Sequence, residues 1–213
     1  MGSTGRTGLK QQTIDAQVVS ERERRCGRYL ARHVSRPRFV HSLGVMRTAG
    51  AIARRWGADV NKARIAGLLH DCSRGMSMHK QKQLVRAYDP KILHDPLITT
   101  NPHLIHGFAS AAIAYKKFKV RDKAVLHAMA YHTTGCSRMS VLDKIIFLAD
   151  MSAPDRRFAS LKTLRRKIHA DLDKAVCLGL MYKIEHVLYG KQSIHPRALE
   201  AWNDIIQTIR KKP

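Results

Sequence analysis

The sequence predicts an all-α protein built as a single helical bundle. Apolar residues recur at spacings of three and four along most of the 213 residues, which is the periodicity of amphipathic helices. No stretch of useful length alternates apolar and polar residues, and we find neither an internal repeat nor a heptad seam. Proline, glycine and capping residues separate the periodic segments. The length suits one sizeable domain, with or without tails.

Two segments make up the N-terminal part of the chain. Residues 1–12 are small and polar, with two basic and no acidic side chains, so we expect a disordered tail or an artificial extension outside the fold. The domain is expected to cover residues 13–213. Within it, residues 13–34 are predicted to form a basic amphipathic helix that ends at Ser35. Pro37 suits the first turn of a second helix, which continues to about Gly57.

The middle of the chain contains two shorter helices and a proline-rich stretch. Asp59 or Asn61 can cap a third helix that ends at His70-Asp71, and a fourth helix covers about residues 77–88. Residues 89–102 hold three prolines, so we predict a loop there. A long loop within a compact helical domain is often functional.

Six more helices complete the predicted bundle. Asp171 and Ser193 are plausible caps for the last two, and a turn from His132 to Gly135 separates the second from the third. The six helices cover residues 103–118, 121–132, 140–150, 156–169, 171–189 and 196–210.

The composition restricts the class of partner. With 39 Lys and Arg against 16 Asp and Glu, the formal charge is +23, which favours anionic partners such as nucleic acid or polyphosphate. The four cysteines are far apart and form no CxxC pair, which argues against a disulfide framework or a cysteine-zinc site. No apolar run is long enough to span a bilayer, and none resembles a signal peptide. We therefore expect a soluble, cytoplasmic protein.

Six polar residues stand out because they occupy apolar helical faces or the ends of apolar helices. Asp150, for example, follows five apolar residues, where an unpaired carboxylate would carry a large desolvation cost. Each of the six alone is more often structural, but four imidazoles and two carboxylates spread over separate helices can converge on one cavity. Nitrogen and carboxylate ligands without thiolate favour iron, manganese, nickel or zinc over magnesium or calcium. The six residues are His41, His70, Asp71, His106, His132 and Asp150.

The order of these six residues resembles that of the HD-domain phosphohydrolase superfamily, and within it the YqeK-type family that hydrolyses diadenosine tetraphosphate symmetrically. The resemblance covers roughly residues 25–205. A lone His70-Asp71 pair is weak evidence, but Tyr131-His132-Thr133-Thr134-Gly135, Leu148-Ala149-Asp150 and Ile194-His195-Pro196 in this order are specific. The other matching segments are residues 38–42, 66–74, 103–107, 142–145, 154–156 and Asn203.

The resemblance implies a metal-dependent hydrolase with an HD-domain helical fold. The ligands of one divalent transition-metal ion would be His41, His70, Asp71 and Asp150. His106 and His132 would complete a second site, with Asp71 as the bridging ligand. We expect one or two ions, with iron as the first choice and manganese, nickel or zinc as alternatives.

The same resemblance implies how the reaction proceeds. A metal-activated hydroxide would attack the central P–O–P bond of diadenosine tetraphosphate and release two ADP. Asp71, His106 and His132 would act in catalysis together with Arg156, which would neutralise the developing charge. The side chains expected to contact phosphate or nucleotide are Arg38, Arg74, Thr133, Lys144, Ser193, Ile194, His195 and Arg197.

Two positions depart from the family pattern. Arg74 stands where the family commonly has lysine, which keeps the charge but changes the hydrogen-bond geometry. Ala153 precedes Pro154 where the family commonly has glutamate, and the loss of this carboxylate bears on the orientation of Arg156.

Two alternatives remain open at the level of sequence. Another HD-type nucleotide phosphohydrolase would use the same ligands on a different substrate, and product analysis separates the two. A basic nucleic-acid-binding protein on an inactive HD fold would explain the charge, although all six candidate ligands are present. We expect at most weak, salt-sensitive nucleic-acid binding and no membrane association. Exposed apolar positions on the first and last helices allow a homodimer.

Overall fold

The computed structural model describes residues 20–211, which form α-helices and no β-strand. The all-α prediction is therefore confirmed. The predicted tail at residues 1–12 and the beginning of the predicted helix at residues 13–34 lie outside the described residues. None of the described helices is long and apolar enough to cross a membrane.

Eleven α-helices and one 3₁₀ helix, Pro90–His94, make up the described chain. In chain order the α-helices are α1 Glu21–His33, α2 Arg36–Arg55, α3 Val60–Leu69, α4 Met78–Arg86, α5 Pro96–Thr100, α6 Pro102–Phe118, α7 Lys123–Tyr131, α8 Val141–Ser152, α9 Leu161–Ala170, α10 Leu172–Tyr189 and α11 Pro196–Arg210.

Side-chain caps fix several of the predicted helix starts. The Asp59 carboxylate accepts a hydrogen bond from the Lys62 amide at 3.0 Å, so Asp59 rather than Asn61 caps α3. Asp171 accepts from two amides in the first turn of α10 and caps that helix as predicted. These caps satisfy amide groups that a helix cannot pair internally.

The prediction of a loop at residues 89–102 is wrong, because this stretch holds the 3₁₀ helix and α5. Asp89, Asp95 and Asn101 each accept a hydrogen bond from an amide two residues later, and each is followed by proline. Proline lacks the N–H group that the first helical position leaves unpaired anyway. The three prolines therefore start helical turns here instead of breaking them.

Helix α9 begins at Leu161, so the predicted start at residue 156 is wrong. Residues 153–156 form a tight turn, in which the Arg156 amide donates to the Ala153 carbonyl at 3.0 Å. This turn directs the side chains of Asp155 and Arg156 inward, as described below, and a helix starting at residue 156 would not do so.

The start of α11 also differs from the prediction. His195, rather than Ser193, is the capping residue, and its Nδ1 accepts from the Arg197 amide at 3.1 Å. Pro196 occupies the first helical position, where its fixed backbone angle favours a helix start.

Helix α2 lies at the centre of the bundle and packs along α3 and α8, while α6 packs against α7. Two glycines allow the backbone of one helix to approach that of another closely. A Cβ atom at Gly67 would lie 3.0 Å from a backbone carbonyl of α2, and one at Gly107 would lie 2.6 Å from the Ala130 carbonyl. Gly67 precedes His70 by three residues and Gly107 follows His106 directly, so both close contacts position candidate ligands.

Candidate metal centre

The six predicted ligands converge at one buried point of the bundle. Helices α2 and α6 contribute from their N-terminal halves, whereas α3, α7 and α8 contribute at their C-terminal ends. Each of the six side chains belongs to a residue that is at most 7% exposed. They are His41, His70, Asp71, His106, His132 and Asp150.

Asp71 lies between two groups of candidate ligand atoms. Its Oδ1 atom is 3.0 Å from Nε2 of His106 and 3.8 Å from Nε2 of His132. Its Oδ2 atom is 3.5 Å from Nε2 of His70, and His41 completes that second group. Within each group the ligand atoms lie within 4.8 Å of one another. A carboxylate in this position can serve both groups.

Asp150 closes the group around His41 and His70. Its Oδ1 atom lies 3.1 Å from Nε2 of His41 and 3.9 Å from Nε2 of His70. Because Asp150 occupies the last turns of α8 and His41 the second turn of α2, this contact depends on the packing of the two helices. Four side chains, those of His41, His70, Asp71 and Asp150, thus surround one point.

Hydrogen bonds on the outer nitrogens set the tautomers of His70 and His132. Nδ1 of His70 bonds the Gly67 carbonyl, and Nδ1 of His132 bonds the Met129 carbonyl, each at 2.7 Å. A carbonyl only accepts, so Nδ1 carries the hydrogen and Nε2 presents its lone pair to the centre. Each histidine is the first residue after a helix and turns its ring back onto the carbonyl three residues earlier. Burial lowers the pKa of both imidazoles, which keeps them neutral, as metal ligands must be.

Asp155 orients His41 and was not predicted from the sequence. Its two carboxylate oxygens lie 2.9 and 3.1 Å from Nδ1 of His41, so Nδ1 donates and Nε2 faces Asp150. A carboxylate behind the imidazole is common for metal-binding histidines. The Pro154-Asp155-Arg156 segment contains the signal, because Asp155 is adjacent to the predicted catalytic residue Arg156.

Several acceptor atoms in this centre face one another without a hydrogen between them. Among the described residues, Nε2 of His70 and Oδ1 of Asp71 are buried and lack a hydrogen-bond partner. Nε2 of His41 and Oδ1 of Asp150 are 3.1 Å apart, and both are acceptors when His41 donates through Nδ1. Buried polar atoms are rarely left in this state. A cation among them satisfies all four atoms, so these residues fit a divalent metal.

Both carboxylates remain ionised in spite of their burial. Burial alone would raise the pKa of Asp71, but the neighbouring imidazoles, His70 first, hold this pKa well below its usual range. Burial also opposes ionisation of Asp150, but the positive charge of Arg156 keeps its pKa well below the usual range. Two buried negative charges at one point favour a divalent cation there.

Three arginines surround the centre, at positions predicted to contact phosphate. Arg38 forms an ion pair with Asp71, and Arg156 forms one with Asp150. Arg74 lies 3.3 Å from Nε2 of His106. The side chains of Arg38 and Arg156 are 28% and 39% exposed, so a solute can reach them.

Thr133 and Arg197 lie beside the end of α7. The Thr133 hydroxyl is 3.3 Å from Nε2 of His132. The Arg197 guanidinium lies 5.6 Å from the centre of the Tyr131 ring, and Tyr131 directly precedes His132. The structure therefore places Arg197, one end of the predicted nucleotide-binding segment, against α7.

The rest of that segment is fixed by a hydrogen bond to the residue that caps α5. Nε2 of His195 lies 3.0 Å from Oδ2 of Asp95, which also caps α5. Ser193 is exposed and Ile194 is half-buried. The segment thus runs from the surface, at Ser193, to the contact between Arg197 and α7.

A family model described as the HD domain matches residues 38–155, more than half of the chain. The chain belongs to the HD-domain family. The matched range contains all six candidate ligands and Asp155. The HD-domain fold predicted from the sequence is therefore confirmed.

Curated relatives extend the similarity over most of the chain. Proteins named "Bis(5'-nucleosyl)-tetraphosphatase, symmetrical" match from three organisms. The one from Halalkalibacterium halodurans is 32% identical over 82% of this chain and 91% of the relative. The one from Bacillus subtilis is 31% identical over 79% of this chain and 89% of the relative. The one from Staphylococcus aureus is 34% identical over 65% of this chain and 71% of the relative.

A solved structure from Clostridium acetobutylicum has the same fold. It is described as a predicted HD superfamily hydrolase involved in NAD metabolism. The TM-score is 0.82 at 34% sequence identity, and the match covers 86% of this chain and 96% of that chain.

Lys144, a predicted substrate contact, does not reach the centre of the HD domain. Its Nζ atom donates to the Asp173 carboxylate at 2.6 Å, and the side chain lines a separate cavity with Arg138 and Asp204. On α8 it precedes Asp150 by six residues, which is about 9 Å along the helix axis and on a different face. The structure thus places Lys144 at the contact between α8 and α10.

Lys183, on α10, does reach the HD-domain centre, although it was not predicted from the sequence. Its Nζ atom lies 3.9 Å from Oδ2 of Asp150. Lys183 follows Val176 and Leu180, both buried, at spacings of seven and three on one helical face. A lysine on such a face is unusual. The signal is the same as for Asp150, namely a charged residue on an apolar helical face.

Proposed function

We propose that this protein is a metal-dependent hydrolase that cleaves diadenosine tetraphosphate symmetrically into two molecules of ADP. The observation that carries the proposal is the buried His/Asp cluster, whose acceptor atoms converge and whose rim is lined by arginines. The similarity to the symmetrical tetraphosphatases named above, over most of their length, supports the choice of substrate. Four free cysteines suit the reducing interior of a cell, which supports a cytoplasmic location.

The donor set favours a divalent transition metal, with iron as our first choice and manganese, nickel or zinc as alternatives. Cys72 is adjacent to Asp71, but burial raises the pKa of its thiol to about 12, so it supplies no thiolate. The residues that would hold the first ion are His41, His70, Asp71 and Asp150. Those that would hold a second are Asp71, His106 and His132.

When bound, the metal supplies Lewis-acid activation of the attacking water and neutralises phosphate oxygens. The arginines supply positive charge for the phosphate oxygens that the metal does not neutralise. The guanidinium groups of Arg38, Arg74 and Arg156 are suited to bidentate contact with phosphate oxygens, and they are fixed in place before the substrate arrives. Donors positioned in this way stabilise charge that develops on the transferred phosphoryl group.

One nucleoside diphosphate end of the substrate is assigned to the surface between α7 and α11. There the Thr133 hydroxyl lies beside His132, and the segment from Ser193 to Arg197, including Ile194 and His195, ends where Arg197 contacts the Tyr131 ring. ADP is a good leaving group, so the reaction requires charge stabilisation more than a strong general acid. This is consistent with a centre that has many cations and neutral imidazoles.

The test combines metal reconstitution with product analysis. Protein depleted of metal by chelation should lose activity, and iron, manganese, nickel or zinc should restore release of ADP as the only nucleotide product. Asp71→Asn should lower the reconstituted rate by more than about 100-fold, since loss of even a supporting group around a metal costs 10- to 100-fold. Undiminished ADP release by metal-depleted Asp71→Asn protein would refute the proposal.

The other possibilities have separate readouts. Products other than ADP, such as AMP with ATP, would indicate a different HD-type nucleotide phosphohydrolase. Weak nucleic-acid binding by the basic surface stays a prediction, which filter binding across a salt series can test, because such binding weakens steeply with salt. Homodimer formation also stays a prediction, and light scattering coupled to gel filtration would measure it.

A further inference from the structure

Lys183 connects the end of α7 with the end of α8. Its Nζ atom donates to the carbonyls of His132 and Thr133, each at 3.0 Å. The same atom lies 4.4 Å from the centre of the Phe147 ring and 3.9 Å from Asp150. The ammonium group thus contacts the backbone of one candidate ligand and faces the carboxylate of another.

Burying a lysine at this position lowers the stability of the fold. Removing an ammonium group from water costs several kcal/mol unless contacts compensate for it, and burial lowers the pKa of Lys183 to about 8. Its Nζ atom lies over the Phe147 ring, a surface that an unbranched apolar side chain such as methionine would also cover. Stability alone therefore does not explain the charge.

The two carbonyls that Lys183 binds lie at the C-terminal end of a helix. They belong to the residues that end α7, where a helix leaves carbonyl groups without internal partners. A cation at this end also interacts favourably with the helix dipole. The peptide groups fixed in this way carry the imidazole of His132 and the hydroxyl of Thr133, which lie 3.3 Å apart.

We propose that Lys183 is a positioning residue for the His132-Thr133 turn. This proposal rests on the proposed function, because that function assigns His132 and Thr133 to the site. Lys183 does not touch the substrate. It fixes the backbone so that Nε2 of His132 points towards Asp71, and it keeps that turn at a constant distance from Asp150.

The test compares Lys183→Met, which keeps the apolar stem, with Lys183→Arg, which restores donors for both carbonyls. Arg55→Met is the matched control, because Arg55 also donates to a helix-end carbonyl, that of His169 at 3.0 Å. A misplacement of about 1 Å can cost roughly 100-fold in rate. We therefore expect the methionine variant to lose about that much kcat with little change in KM. Lys183→Arg should recover most of the loss, and Arg55→Met should leave kcat unchanged.

A second measurement does not depend on turnover. Nitrogen-15 spectra of labelled histidine in metal-free protein report which ring nitrogen carries the hydrogen, and His132→Gln assigns the His132 signals. We expect Lys183→Met to shift the His132 signals, while Arg55→Met does not. If the methionine variant does not fold, Lys183→Gln takes its place.

Three results would overturn the proposal. One is an unchanged His132 spectrum in the methionine variant. Another is a rise in KM at constant kcat, which would mean that Lys183 contacts the substrate directly. The third is a loss of activity that only follows the fraction of unfolded protein. If the wild type releases no ADP at all, the proposed function fails, and the His132 spectra still decide the role of Lys183.

Discussion

Gly107 lies where α6 and α7 touch, and replacing it with alanine tests whether close helix packing positions His106 against His132. A Cβ atom at this position would lie 2.6 Å from the Ala130 carbonyl and 3.0 Å from the Met129 carbonyl. Both are backbone atoms and cannot rotate away. An ordinary contact begins at 3.4 Å, so the two helices must separate by about 0.8 Å.

The expected effects on stability and on activity differ in size. Overpacking of this kind costs about 1–3 kcal/mol, but alanine regains about 1 kcal/mol in helix propensity relative to glycine. The net loss of roughly 0–2 kcal/mol corresponds to a fall of about 0–8 °C in Tm for a chain of this size. Nε2 of His106 and Nε2 of His132 are 3.1 Å apart, and a shift of nearly 1 Å there should cost about 100-fold in kcat/KM.

The assay measures ADP release and thermal unfolding on the same preparations. Gly190→Ala is the control, because Gly190 has a φ of −75° and lies at the end of α10, where an added Cβ atom meets no contact closer than 3.3 Å. It should leave both quantities nearly unchanged. Full activity in Gly107→Ala protein, or a loss no greater than the control shows, would contradict the reasoning.

Three further substitutions have distinct expected outcomes. With metal at about 100 times its Kd, the wild type should gain roughly 2.7 kcal/mol in the free energy of unfolding, and Asp71→Asn should lose this gain; thermal unfolding with and without metal measures it. Lys144→Met removes a charged hydrogen bond to Asp173, so it should cost about 1.5–3 kcal/mol of stability with kcat/KM unchanged. Burial alone would raise the pKa of Asp95, but the hydrogen bond with His195 lowers it. Its ionised form therefore stabilises the fold above pH 4, and the stability difference between wild type and Asp95→Asn should shrink as the pH falls below about 4.

Helix positions were predictable where local chemistry decides them. Asp59 and Asp171 precede periodic apolar segments, and both act as caps in the structure. The structure of residues 89–102, where the predicted loop is wrong, is also decided by local capping. Three closely spaced prolines favour a loop, but proline after Asp or Asn starts a helix when the preceding side chain caps it. Attention to the Asp89-Pro90 and Asp95-Pro96 pairs would have predicted the short helices.

The ligand set was predictable for a different reason. A polar side chain on an apolar helical face costs free energy wherever the helix packs, so the sequence marks such residues without knowledge of the fold. The same pattern does not predict which partner a buried lysine will have, as Lys144 and Lys183 show. Lys144 and Lys183 both lie on helices that pack into the core, yet Lys144 reaches Asp173 and Lys183 reaches Asp150. The parallel packing of α8 against α10 decides between them, and no local pattern contains that information.

Ala153 illustrates how packing can replace a residue that the family pattern would require. Its missing carboxylate left the orientation of Arg156 undetermined from the sequence. In the structure Asp150 itself holds Arg156, through an ion pair and through a hydrogen bond from Nε to the Asp150 carbonyl at 3.0 Å. Arg165, on α9, donates to the carbonyls of Ser152 and Ala153 at 3.0 Å. Since the turn is held by its backbone and Ala153 is fully buried, a larger side chain is not needed there to direct Arg156 towards the metal centre.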